Sequence, residues 1–180
     1  MDLKKLVNKG VDSLSPYEPG KPIEDLEREI GIKNAIKLAS NENPIGPSPK
    51  VLQSIDAILK ETHRYPDGNA TRLKDSIAKK FNTSSNQVTI GNGSNDIIEF
   101  IARSFLGPDD SAIYSEHAFA VYPIVVKAVG AKGIEVPAKD FSHDLEAMLN
   151  AIEENTKLIF IANPNNPTGS FVELDELLYF

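Results

Sequence analysis

The chain contains no cysteine, which excludes a disulfide framework and any cysteine-ligated metal centre. It also lacks clustered positive charge. Lys4-Lys5 and Lys79-Lys80 are the only adjacent basic pairs, and the net charge is −7 with a pI near 5.0. That balance argues against nucleic acid or an anionic membrane as the main partner. No apolar run is long enough to span a bilayer, and Met1–Gly10 lacks the apolar core of a secretory signal. His63, His117 and His143 show no mutual spacing of a metal site or catalytic triad, so no metal is expected. His143, at an expected helix start, is read as solvent-exposed or locally hydrogen-bonded. What remains is a globular, cytoplasmic composition, 41% hydrophobic and 25% charged, able to bury one sizeable core.

The pattern of apolar residues supplies the architecture. A weak amphipathic helix is expected over residues 1–9, then a turn-rich arm and a short helix near 23–30. Ile36–Ala39 is a candidate short strand. Ser48 and Pro49 open a helix whose stripe is Val51, Leu52, Ile55, Ile58 and Leu59. Another helix spans about 69–81. From Gln87 onward, strands are expected at 88–90, 111–115, 133–136 and 157–162. Helices are expected at 94–106, 119–130 and 143–154, with one more starting near Leu174. This βαβαβαβ order implies parallel strands joined by helical crossovers.

Two loops in that order carry chemistry. Val88-Thr-Ile90 runs into Gly91-Asn-Gly-Ser-Asn-Asp96 and then a helix. A strand, a glycine turn and a helix N-terminus form an anion site, because unpaired N–H groups and the positive dipole end face the ligand. Gly93 permits close backbone approach, and Ser94 and Asn95 add side-chain donors. A dinucleotide fingerprint would need a third glycine where Asp96 stands, which counts against NAD. A merely well-capped helix remains the plain alternative.

The second loop is Asn163-Pro-Asn-Asn-Pro-Thr-Gly169, which follows the apolar run Leu158–Ala162. Such a run reads as a strand buried on both faces, and ligands bind at the carboxyl ends of strands in open α/β sheets. Pro164 and Pro167 stiffen the turn that carries the three amides.

This string resembles the loop of the fold-type I pyridoxal-phosphate aminotransferases, with the strongest likeness to the histidinol-phosphate aminotransferase branch. The resemblance covers essentially all of the chain. It implies an α/β large domain, αβα with a mostly parallel sheet, over 48–180, preceded by an arm and the start of a small-domain region over 1–47. It implies pyridoxal 5′-phosphate as cofactor. In that family Asn166 would bond the 3-hydroxyl oxygen of the cofactor ring, and Gly93, Ser94 and Asn95 would hold its phosphate. Phe119, in Glu116-His-Ala-Phe119 after the strand at 111–115, would cover the ring face by offset π contact; it also reads as the first core residue of the next helix. Tyr65, in Arg64-Tyr-Pro-Asp67, would reach the cofactor phosphate of a partner subunit, although Tyr-Pro also occurs as plain turn packing. Tyr17 and Asn41 would face the substrate.

The same resemblance implies transamination of histidinol phosphate with 2-oxoglutarate, in histidine biosynthesis, by a homodimer. A decarboxylase of a phosphorylated amino acid is the near alternative in the same fold, and a non-enzymatic remnant the alternative from another class. In the family pattern the ring-nitrogen aspartate, the Schiff-base lysine and the substrate-gripping arginine fall beyond position 180. A chain ending at Phe180 is therefore expected to carry no catalytic residue of its own, to be inactive, and to self-associate along an unpaired sheet edge.

Overall fold

The computed structural model describes residues 6–7, 10–17 and 19–180. The helix expected over 1–9 lies largely outside them. The chain forms two units, Glu18–Val88 and a second composed of residues up to Tyr17 together with Thr89–Phe180.

In the unit Glu18–Val88, three helices follow one another: α1 (Ile23–Ile30), α2 (Pro49–Ile58) and α3 (Thr71–Phe81). Each end has a local cause. Gly31, at φ 70°, takes the left-handed position that stops α1. Ser48 Oγ accepts from Lys50 N–H, with Pro49 at the first position of α2. The Asp67 carboxylate accepts from Asn69 and Thr71 N–H at 2.9 Å each, which opens α3. The Thr71 side chain, followed by those two N–H bonds, holds Asp67 below the usual carboxylate pKa. The apolar stripe of α2 is exposed along Val51, Leu52, Ile55 and Ile58. Ile36–Ala39 is not a strand. It is irregular backbone, with Ile36 and Leu38 exposed, because a strand needs a ladder partner as well as apolar residues.

The second unit is built on a three-stranded parallel sheet of order β2-β1-β3. The strands are β1 (Ser111–Ser115), β2 (Lys132–Val136) and β3 (Thr156–Phe160). The helices are α4 (Ser94–Phe105), α5 (Val121–Ala128), α6 (Leu145–Asn150) and α7 (Leu174–Tyr179). Only β1 is buried along its whole length. Its side chains alternate as a strand must. Ala112 and Tyr114 join a core made with Ala102 and Leu106 from the α4 side, Val121, Tyr122, Val125 and Val126 of α5, and Phe160. Ile113, facing the other way, packs with Val136 and Met148 of α6. Helices thus cover both faces of the sheet, the αβα arrangement.

Three expectations need correction. Residues 88–90 form no strand: Val88 is extended, at φ −113° and ψ 120°, but no ladder forms there. Local geometry fixes extension, whereas pairing is tertiary. The run expected as a doubly buried strand over 157–162 ends at Phe160 and is only half-buried, because β3 is an edge of the sheet. The helix expected over 143–154 is confined to α6, started by Asp144 Oδ1 accepting from Ala147 N–H at 2.9 Å. Asp109-Asp110 is a turn as read. Asp110 is bonded to Gly107 N–H and paired with Lys157, and the Lys157 bond leads in lowering its pKa.

Because Ile113 is fully buried between β1 and α6, Ile113→Ala should destabilise the full-length protein by about 2–5 kcal/mol. Leu38→Ala, at a 94% exposed position, should shift it by no more than about 0.5 kcal/mol. Urea denaturation midpoints of the two variants check this contrast.

Candidate functional site

All three strands end on the same edge of the sheet, and each is followed by a loop. After β1 come Glu116–Phe119, after β2 the segment 137–143, and after β3 Ala162–Ser170. Hydrogen bonds knit these loops together. Glu116 donates its N–H to Val136 O at 2.7 Å and accepts from Ala138 N–H at 3.1 Å. His143 Nε2 lies 2.8 Å from Ala162 O. Since that carbonyl can only accept, Nε2 carries the proton. His143 is therefore neither solvent-exposed nor locally bonded as expected. It is 6% exposed and holds the start of a loop nineteen residues away, with Nδ1 unpartnered among the described residues.

The asparagine-rich loop divides its amides by role. Asn163 pairs with the backbone of Val172 in both directions, Nδ2 to O and N–H to Oδ1, each at 3.0 Å. Its carboxamide stands in for a strand partner and closes the loop. Asn165 is 4% exposed, and its Nδ2 donates to His117 O at 3.1 Å and to Thr168 Oγ1 at 2.9 Å. Its backbone also closes on Ser170 O and Gly169 N–H. Gly169 sits at φ 74°, where a side chain would be strained. Asn166 is exposed, and its side chain has no partner among the described residues. Of the three amides, two are committed to the fold and one is available.

Gly93, at φ 85° and ψ 179°, precedes α4, and no side chain caps that helix. A Cβ at Gly93 would meet nothing within 4 Å, so backbone conformation and not crowding is what requires glycine. Ser94 and Asn95 are exposed, and Asp96 Oδ2 accepts from Asn92 N–H at 2.9 Å, folding the turn back. The competing view of a capped helix loses ground here, because the capping side chain it requires is missing.

Phe119 is half-buried and meets two tyrosine rings edge-on: Tyr17 at 6.5 Å and Tyr122 at 6.0 Å. Tyr122 in turn stacks on Phe160 at 4.7 Å. Phe119 thus packs against the core on the Tyr122 side and against Tyr17 on the other. Tyr65 and Asn41 belong to the unit Glu18–Val88. There Tyr65 is fully exposed, and Asn41 is exposed at φ 52°. Sequence reasoning missed Asn165, Thr168, Ser170 and His143, whose signal is their partners and not their spacing. Among the described residues no cluster of histidine and acidic side chains is arranged to hold a metal. A cavity of about 840 Å³ between α6 and α7 is lined by none of the candidate site residues.

The loops after β1 and β3 thus carry a half-buried aromatic, Phe119, and an exposed amide, Asn166, while the glycine turn lies at the start of α4. Comparison with known proteins identifies the family. Residues 33–179 match the family described as aminotransferase class I and II. The chain is 52% identical, over 98% of its length, to "Histidinol-phosphate aminotransferase 1" of Nitrosococcus oceani, of which it covers 48%. It is 56% identical to "Histidinol-phosphate aminotransferase 2" of Pseudomonas fluorescens, with 98% and 49% covered. It thus spans about half the length of these curated relatives. Its fold superposes, with a TM-score of 0.83 and 30% identity, on histidinol-phosphate aminotransferase from Sinorhizobium meliloti in complex with pyridoxal-5′-phosphate. That match covers 94% of this chain and 45% of the other.

The division of labour in the asparagine loop is testable without any ligand. Asn163→Ala loses both bonds to Val172 and should cost about 1–3 kcal/mol of stability, whereas Asn166→Ala should change it by less than about 0.5 kcal/mol. Equilibrium denaturation of the ligand-free full-length variants measures both.

Proposed function

We propose that this chain, which belongs to the aminotransferase class I and II family, carries the cofactor-holding half of a histidinol-phosphate aminotransferase with pyridoxal 5′-phosphate as its cofactor. The observation that carries the reading is the unpartnered Asn166 amide, set at the end of a parallel sheet whose uncapped α4 faces an open glycine turn.

Bound pyridoxal phosphate supplies an electron-withdrawing ring that stabilises negative charge on the α-carbon of an amino compound. The residues of this chain hold and orient that group. Ser94 and Asn95 donate to the phosphate beside the N–H groups of the α4 start, where the helix dipole adds its field. Gly93 keeps the approach open. Asn166 donates from Nδ2 to the 3-hydroxyl oxygen, fixing the ring's rotation. Phe119 covers one face, and Tyr17, against its edge, borders the space where the amino substrate enters.

Histidinol phosphate is the amino donor and 2-oxoglutarate the acceptor in this reading. The donor is supported by relatives above 50% identity that bear that activity in their names. A decarboxylase of a phosphorylated amino acid would share the cradle. Carbon dioxide release, measured against glutamate formation, separates the two. The working unit is a cytoplasmic homodimer in which Tyr65 reaches the partner's cofactor phosphate and Asn41 faces substrate. The exposed apolar stripe of α2 supports burial against a second copy.

Two outcomes are expected. Asn95→Ala and Asn166→Ala should each weaken pyridoxal phosphate binding to the full-length protein by roughly ten- to a hundred-fold, the value of one bond to a charged or strongly polar group. Unchanged affinity removes the residue from the site. Sedimentation of the full-length enzyme should show a dimer, and a stable active monomer contradicts that arrangement.

A further inference from the structure

Three side chains that the functional reading leaves unused form one directed chain of hydrogen bonds across the candidate site. Asn165 Nδ2 donates to His117 O at 3.1 Å and to Thr168 Oγ1 at 2.9 Å. Ser170 Oγ donates to Phe141 O at 2.7 Å. A hydroxyl has one proton to give, so Ser170 has spent its own on that carbonyl. In the 2.8 Å contact between Thr168 Oγ1 and Ser170 Oγ, Thr168 is therefore the donor. The direction is fixed throughout: Asn165 amide to Thr168 hydroxyl to Ser170 hydroxyl to Phe141 carbonyl, with the second amide proton on His117 O.

Both carbonyls at the ends of this chain belong to residues with unfavourable backbone. His117 lies at φ 56° and Phe141 at φ 60°, in the left-handed region that side-chain-bearing residues avoid. Their rings meet at 5.3 Å, which closes the circuit. The strained turns follow β1 and β2, and the polar chain comes from the loop after β3. All three strand ends are joined in one ring of contacts.

The placement of that ring points to its purpose. The Asn165–Thr168 bond spans the dipeptide Asn166-Pro167 and pins it from both sides. His117, held by Asn165, stands two residues before Phe119. We infer that Asn165, Thr168 and Ser170 are positioning residues: they couple the loop of Asn166 to the turn of Phe119, so that ring-edge amide and ring-face aromatic are held as one preorganised unit. This rests on the assignment of Asn166 and Phe119 to the cofactor ring. Other side chains also sit at positive φ, Asp140 among them, but at His117 and Phe141 the chain grips the strained residue itself, as a preorganised site requires.

The probe is 4′-deoxypyridoxine 5′-phosphate, which keeps the ring, its 3-hydroxyl and the phosphate but has no aldehyde, so its binding needs no covalent step. It is titrated into the full-length protein and four variants. Thr168→Val keeps the shape and removes the hydroxyl. It should weaken the probe roughly tenfold, the worth of one good hydrogen bond, whereas Thr168→Ser should stay within about twofold. In an Asn166→Ala background the Thr168→Val loss should shrink, because part of the chain's effect passes through the Asn166 amide. Equal affinity of Thr168→Val and the parent overturns the inference, as does full additivity with Asn166→Ala. A loss from Asn166→Ala with none from Thr168→Val sinks the positioning chain and leaves the cofactor reading standing. No loss from Asn166→Ala alone overturns both. If Thr168→Val does not fold, Ser170→Ala opens the link to Phe141, and the same titrations decide.

Discussion

Everything at the candidate site depends on β1 being buried on both faces and bonded on both edges. Ser111–Ser115 pairs with β2 from Ser111↔Lys132 to Ser115↔Val136, and with β3 through Ala112↔Leu158 to Tyr114↔Phe160. Such a strand has no freedom to slip, since a shift of one residue would send Ile113 into the face shared by Ala112 and Tyr114. Fixing β1 fixes where its two neighbours end. The loops after all three strands then meet at one place. Chemistry can be put on those loops because the scaffold beneath them cannot move.

What the loops add is restraint applied through polar side chains, of which His143 and Asn165 are buried. His143, Asn163 and Asn165 each spend a side chain on a backbone carbonyl or N–H. Each bond is worth only about 1 kcal/mol net, yet stranding a buried group such as the Asn165 amide costs about 1–3 kcal/mol. That asymmetry makes the loop stiff out of proportion to its contact area. It also offsets the backbone strain at His117 and Phe141, of order 1–3 kcal/mol each. The stiffness leaves Asn166 in a fixed place while its amide stays uncommitted.

How much of this was legible in the sequence depends on the range of the interaction. Ser111–Ser115 and Ile23–Ile30 were readable to the residue because apolar runs, a glycine stop and turn residues are local signals. The glycine turn before α4 and the asparagine loop after β3 lie where their distinctive residue order put them. Residues 88–90 and 36–39 misled, since β-branched residues announce extension but not a partner. His143 misled for a related reason: one histidine near a helix start says nothing of a carbonyl nineteen residues on. Within the loop, Asn163, Asn165 and Asn166 are chemically identical in sequence. The resemblance singled out Asn166, but only the partners of the other two explain why that amide stays uncommitted.

The anion turn shows the physical logic of the site most plainly. In a chain of net charge −7, the proposed phosphate cradle over 91–96 contains one carboxylate, Asp96. Asp96 accepts from Asn92 N–H and is spent on folding the loop. The donors left over are neutral: backbone N–H groups at the start of α4, the Ser94 hydroxyl and the Asn95 amide. Neutral dipoles aimed at one point attract an anion without attracting every anion in solution, because their field falls off faster with distance than that of a lysine. Selectivity then passes to the other contacts. Under the proposed function a bare phosphate gains nothing from Asn166 or Phe119, whereas an aromatic phosphate ester gains both. On that proposal, a cradle too weak to hold its anion alone, combined with an amide and an aromatic wall, makes tight binding conditional on the whole ligand being present.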